Sequence, residues 1–271
     1  MRPRLLIRSA VSLAVGIVAV VGAASVSHAQ SAARIHLLHG IPGTDVDVEV
    51  AGSNVFTGFK YGETKDLSSF AGKTLTAVKV KAAGTTTVAI DAGDLKLPAT
   101  GNYTVIAHLT ADGKPALAVF SNDTSPIAAG KGRLVVRHAA AAPAVDVKAN
   151  GTTAFANVVN GKEGKADLAA GKITATVTPA GAATPVVIGP ADLTIVEGES
   201  LIVYAVGSLD GKTLGVLTEK ITGLGSAPTR VNTGNSPLDS GRSALPVLLG
   251  IGALLVLAVP GAAFARRAAH R

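Results

Sequence analysis

The sequence contains no cysteine and no tryptophan, and only 3% of its residues are aromatic. Without cysteine no disulfide can staple the chain, and no thiolate is available as a nucleophile or zinc ligand. Stability has to come from packed Val, Leu, Ile and Ala. A sugar-gripping surface of Trp and Tyr faces is disfavoured too, since the only rings of that kind are Tyr61, Tyr103 and Tyr204. Long amphipathic helical patterns are missing. So are a Gly-x-Ser-x-Gly elbow, a Gly-x-Gly-x-x-Gly turn opening a helix, and a P-loop. An enzyme is therefore the least supported class, because no complete catalytic constellation can be assembled from the residue pattern.

The net charge of +7 is a second, less obvious absence, because the bulk of the chain carries almost none of it. Arg2, Arg4 and Arg8 precede the first apolar run, and Arg266, Arg267 and Arg271 follow the last. Setting those six aside leaves 19 of the 25 basic residues against 18 acidic ones. A phosphate-tracking surface is not expected, so nucleic acid is excluded as a partner.

What is present first is a pair of apolar segments. Arg2 to Arg8, the stretch Ala10 to Val26 and the small-x-small tripeptide Ser27-His28-Ala29 read as a secretory signal peptide over residues 1–29, cleaved before Gln30. Near the other end, LPVLLGIGALLVLAVPGAAFA, Leu245 to Ala265, carries no charge and is long enough to cross a ~30 Å hydrocarbon core as a helix. We place this transmembrane helix at residues 244–266 and a cytoplasmic tail at 267–271, since the arginines behind it obey the positive-inside rule. The product would be a single-pass protein of the cell membrane with its bulk outside, preceded by a flexible stalk at 226–243. No LPxTG-like pentapeptide precedes the helix, so covalent wall attachment is disfavoured and a retained membrane anchor is expected.

Between these segments the chain repeats itself. RIHLLHGIPGTDVDV, Arg34 to Val48, returns 99 residues later as RLVVRHAAAAPAVDV, Arg133 to Val147. At the same offset Gly52 meets Gly151, Phe56 meets Phe155, Gly62 meets Gly161 and Val78 meets Val177. After one deletion the offset becomes 98, so that Val88 and Ile90 meet Val186 and Ile188, and Asp112-Gly113-Lys114 meets Asp210-Gly211-Lys212. A period near 100 residues is that of a small domain rather than a solenoid.

Each copy reads as β-structure. Ile35, Leu37 and His39 share one face of a strand, as do Leu134, Val136 and His138, and Tyr103, Val105, Ala107 and Leu109. Asp112-Gly113 and Asp210-Gly211 predict hairpins with type I′ turns. The fold class expected is all-β, with two tandem Ig-like β-sandwich domains at 30–129 and 130–225, plus the N-terminal signal helix and the C-terminal transmembrane helix.

The block His-(Ala/Gly)-x-x-x-Pro-x-Val-Asp-Val, followed by Ala-Gly-Lys, VTPAGAATPVV and LIVYAVGSLDGK, resembles the bacterial family called domain of unknown function 4397. His138 to Val147 carries the opening motif, and the likeness continues to about Leu217. The first copy departs from it, with Pro42 one step earlier in its loop than Pro143 and a degraded VKVKAAGTTTV. The resemblance implies secreted or envelope β-sandwich modules, and it implies no activity.

His39, Asp47, His138 and Asp146 are the candidate site residues, as a structural clasp or as ligand-site groups. Each His ends an inward-facing row, with an Asp on the following strand. A metal or proton-transfer site is one reading. The other is a clasp in which the carboxylate or the loop backbone satisfies a buried imidazole. One His and one Asp fall short of a metal's usual ligand count, so the clasp is favoured, and neither a metal nor any other cofactor is expected. Asp45, Asp47 and Glu49 alternate along one strand and read as a solvated acidic face, since Ala144, Asp146 and Lys148 replace them in the second copy. His36 and His108, aligned with Val135 and Val206, are expected to be exposed. The function expected is that of a non-enzymatic, membrane-anchored surface protein with a structural or adhesive role. The alternative is an envelope module that binds a cell-wall polymer, a peptide or a surface protein through the His39 and His138 loops.

N-terminal sequencing of the protein recovered from membranes should begin at Gln30. An intact Met1 form as the main species would instead mean that the first apolar run stays as a second anchor.

Overall fold

The computed structural model describes residues 31–226. The expected signal segment and transmembrane helix lie outside those residues, and within them no helix is long and apolar enough to cross a membrane. The described chain is all-β. The first copy holds β1 (Arg34–His39), β2 (Val46–Val50), β3 (Ser53–Phe59), β4 (Thr64–Asp66), β5 (Thr74–Ala82), β6 (Val88–Lys96), β7 (Asn102–Leu109) and β8 (Pro115–Ser121). The second holds β9 (Lys131–Ala141), β10 (Val145–Ala149), β11 (Thr152–Val158), β12 (Glu163–Ala169), β13 (Gly171–Pro179), β14 (Ile188–Ile195), β15 (Ser200–Ser208) and β16 (Gly215–Ile221). A single 3-10 turn, Ser68–Phe70, interrupts them.

These strands form four sheets, ordered β4-β1-β7-β8 and β3-β2-β5-β6 in the first copy, and β12-β9-β15-β16 and β11-β10-β13-β14 in the second. Adding eight to each strand number converts the first pair of orders into the second, so the two copies share one topology. It is β-sandwich-like, but it is not the Ig-like sandwich expected from the sequence. An immunoglobulin sandwich puts its first, second, fifth and fourth strands in one sheet and pairs them antiparallel. Here β1 and β2 lie in different sheets, and β1 pairs parallel with β7, as β9 does with β15. Alternation along a strand reports which residues share a face; it carries no information about which strand lies beside it.

Two local expectations are also revised. The β7–β8 hairpin exists, but Gly113 alone of the Asp112-Gly113 pair is left-handed (φ +80°), and its N–H donates to Thr110 O at 2.9 Å. The equivalent left-handed position in the second copy is Lys212 (φ +52°), not Asp210 or Gly211. With five residues between β7 and β8 and six between β15 and β16, an ordinary turn followed by one left-handed residue closes each loop, and no I′ turn is required. The repeat register shifts inside β5 as well. Val80, not Val78, sits opposite Val48 as Val177 sits opposite Val147, and the bulge at left-handed Ala77 in β5 supplies one of the two residues of that shift.

Each copy has its own apolar core between its two sheets. Ile35, Leu37, Val46, Val48 and Val105 anchor the first; Leu134, Val136, Val145, Val147 and Val203 anchor the second. A third core lies between the copies, where Leu38, Ile106 and Phe120 meet Val135, Ala139, Ile202, Tyr204 and Val206. Sheets β4-β1-β7-β8 and β12-β9-β15-β16 are thus covered on both faces near their centres. β9 is buried from Gly132 to Ala141 and β15 from Ser200 to Gly207.

This middle layer also buries charge. Arg137 is only 1% exposed. Its guanidinium donates to Glu163 Oε2 (2.8 Å), Tyr204 OH (2.7 Å) and Ser121 O (3.2 Å), and lies 4.5 Å from the Phe120 ring centre. Tyr204 OH donates to Glu219 Oε2 (2.9 Å), which also accepts from Thr104 Oγ1 (2.8 Å). Glu219 Oε1 reaches His36 Nδ1 at 2.8 Å. Lower in the layer, Arg133 binds Asp167 Oδ1 (2.8 Å) and the Asp123 and Ser125 carbonyls (3.1 and 3.2 Å). These charges are matched partly within the second copy, by Glu163, Tyr204, Glu219 and Asp167, and partly across to the first, by Ser121 O, Thr104 and His36, which is what allows charge to sit there.

Removing one member of such a network leaves its partners buried and unpaired, so Arg137→Ala should cost about 3–5 kcal/mol. Because the middle core belongs to both copies, thermal unfolding followed by far-UV circular dichroism should be a single transition that the substitution shifts as a whole. Two separate transitions, with only one of them moved, would contradict a shared core.

Candidate functional site

The His39 and His138 loops lie at one pole of the body. β1 and β9 both run towards it, and Asn160 Nδ2 ties the two copies together there by donating to Leu109 O (2.9 Å) and Ala140 O (2.7 Å). The opposite pole holds the bridges Ala32–Thr100 and Ile127–Gly225, so the described chain enters, crosses between copies and leaves at that end.

His39 and His138 are both fully buried. His39 Nε2 donates to Thr44 O and His138 Nε2 to Pro143 O, each at 2.8 Å. The second ring nitrogen faces a backbone N–H across a long 3.4 Å contact, from Ile41 in the first loop and from Ala140 at the end of β9. The imidazoles are therefore neutral, protonated at Nε2, and each ties down the loop that follows its own strand. Burial pushes both below their ordinary value of 6.5, and the carbonyl bond opposes that only in part.

Asp47 and Asp146 do not hydrogen-bond to these histidines. Asp47 accepts from the N–H groups of Gly58 (2.8 Å) and Gly84 (3.0 Å), and Asp146 from those of Asn157 (2.7 Å) and Gly181 (2.9 Å). All four donors are left-handed, with φ of +59°, +70°, +52° and +75°. Each carboxylate thus pins a bulge in the neighbouring strand and a turn beyond the next one. The N–H of Gly58, then that of Gly84, holds Asp47 below the usual carboxylate range; Asn157 and Gly181 do the same for Asp146. The sequence places the His and the Asp near each other, and the fold gives them separate tasks.

The acidic row of the first copy is not a solvated face. Asp45 is exposed, but Asp47 is buried and Glu49 is half-buried against Lys81, whose Nζ lies 2.7 Å away. Nor is His108 exposed: it is 3% exposed, faces the second copy and bonds to Leu109 O at 2.9 Å. His36 is only partly exposed and is committed to Glu219. Among the described residues no group of three or more His, Asp or Glu gathers as a metal would require.

Beside His39 the two sheets of the first copy part to leave a cavity of about 230 Å³. Its floor is His39, Val46, Val80 and Ile90, all buried, and Thr44, Ala89 and Pro115 stand exposed at its mouth. Residue pattern alone could not reveal it, because it depends on small side chains from separate strands, Ala82, Ala89 and Ala107, facing one another.

Residues 33–148 match the family described as Domain of unknown function (DUF4397). The chain is similar to that family over the whole first copy and over β9, its loop and most of β10. The likeness read from His138 to Leu217 is thus met only as far as Lys148, and the copy that seemed the more degraded carries most of the match. No curated protein matches the chain.

Acid should destabilise the body in two steps. His39, His108 and His138 have lowered values when folded, so their contribution is complete above about 6.5 and is lost as pH falls from there through the folded values. Asp47 and Asp146 are also lowered, and their contribution disappears only below about 3.8. His138→Ala should cost about 1–3 kcal/mol and flatten the melting-temperature profile as pH falls below 6.5. Zinc should leave wild type and variant equally unchanged. A zinc-induced rise in wild type alone would make His138 a metal ligand.

Proposed function

We propose that the protein is a non-enzymatic surface protein of the cell envelope, presenting two β-sandwich modules as one rigid body on a C-terminal membrane anchor. In this reading residues 130–225 are a second module of the same family as the first. The observation that carries the proposal is the polarity of the body. The described chain enters and leaves at one pole, and its His loops lie at the other. The shared middle core supports the structural part of this reading, because it removes the hinge that two tandem modules would otherwise have.

A stalk over 226–243 extends at most about 60 Å, which keeps the body close to the membrane. Deleting residues 244–271 should release the protein into the medium with its fold intact. Recovery of the intact chain in the cytosolic fraction would overturn the proposal.

A second reading, binding of a wall polymer or peptide across the loop pole, is favoured by the position of both His loops at one end, where Asn160 ties the two copies together. Purified residues 30–243 should then be retained by cell-wall fractions, and substitutions at the loop pole should abolish retention.

A further inference from the structure

We propose that the cavity beside His39 is a binding site for a small neutral apolar group, of about the size of benzene to indole. This stands apart from the display reading, since the cavity belongs to the folded body wherever that body is held.

Size is the first argument. The space measures about 230 Å³, and an apolar cavity of roughly 150 Å³ is already enough to take up benzene. It is smaller than the pockets of about 300–1,000 Å³ that hold drug-sized ligands. A single ring or a short branched alkyl group is what fits.

The lining sets the chemistry. Val46, Val80, Ile90 and Ala107 supply hydrocarbon. The one ionisable group, His39, has its Nε2–H committed to Thr44 O and its Nδ1 turned to the Ile41 N–H. The imidazole therefore presents ring rather than a free nitrogen. A charged or sugar-like ligand would lose its hydration with only Thr44 at the mouth to replace it, so the occupant is neutral and a wall glycan is disfavoured.

The second copy provides an internal comparison. Register places Pro179 where the first copy has Ala82, since these residues face Val145 and Val46 respectively. The repeat places Val187 where the first copy has Ala89. Val187 packs on the core of its own copy, whereas Ala89 is exposed at the mouth of the cavity. Two wall positions are thus larger in the second module, and small side chains keep the first one open.

The test uses the full chain in lipid nanodiscs, with valine and isoleucine methyls labelled for NMR and indole as the probe. Indole should produce saturable shifts at Val46, Val80 and Ile90, with the Val145 and Val177 methyls of the second copy unaffected. Ala89→Val, which introduces the second copy's residue, and independently Ala82→Val should each weaken indole binding by about ten-fold or more, since each adds two carbons and a single one in a filled apolar site already has an effect of that size. Both variants should melt at or above the wild-type temperature, and either one suffices if the other fails to fold. Indole-3-carboxylate, carrying a charge on the same ring, should bind more weakly than indole by at least the same factor. The proposal is overturned if no shift appears up to the solubility limit of indole. It is equally overturned if the shifts persist unchanged in the folded variants, if they occur alike in both copies, or if the charged ring binds as well as the neutral one.

Discussion

The guanidinium of Arg137 sits where the two copies meet, and the arrangement of the body depends on its being satisfied there. A buried cation has to be matched by acceptors held in place, and those acceptors come from β8, β12 and β15 together. Tyr204 passes the connection on to Glu219, and Glu219 to Thr104 and His36. The chain of contacts therefore crosses the interface twice. It fixes the register of one inner sheet against the other in a way that apolar packing alone, being non-directional, would not.

The two modules carry different side chains where they face each other. At repeat-equivalent positions Leu38 corresponds to Arg137, Ile106 to Tyr204 and Ser121 to Glu219. The first copy supplies apolar side chains and carbonyl oxygens where the second supplies charge and a phenol. Facing a module of its own kind, the second would place the Arg137, Tyr204 and Glu219 set against itself. The copies also differ at the loop pole, where two wall residues are small in one module and larger in the other. The Asp-held turns, by contrast, are the same in both.

Those turns explain why the His-loop-Val-Asp-Val block occurs twice. The imidazole closes the loop that leaves the first strand of each module. The carboxylate closes a bulge and a turn that belong to other strands of the same sheet. One short block thereby fixes three pieces of backbone that cannot hydrogen-bond in the strand ladder. Its residue types were legible as polar groups at a strand end. Their partners were not, because Gly58, Gly84, Asn157 and Gly181 are brought within reach only by strand pairing.

By itself the sequence determined the all-β class, the duplication, and the inward rows of Ile35, Leu37 and His39 and of Leu134, Val136 and His138. Side-chain alternation and glycine-marked turns are local properties of the chain, and each core needs only one apolar face per strand. Tertiary structure alone decided that the opposite faces are also covered. Arg133, Val135, Arg137 and Ala139 alternate with the core row, and so do His36, Leu38, Ile106 and His108; by periodicity these belong to solvent. They are buried because a second sheet lies over them, and the residues of that sheet come from about 100 positions away. Strand order, the parallel central pairs and the cavity beside His39 were likewise decided by the fold. All of them depend on which strand lies beside which, and no periodicity along one strand encodes its neighbour.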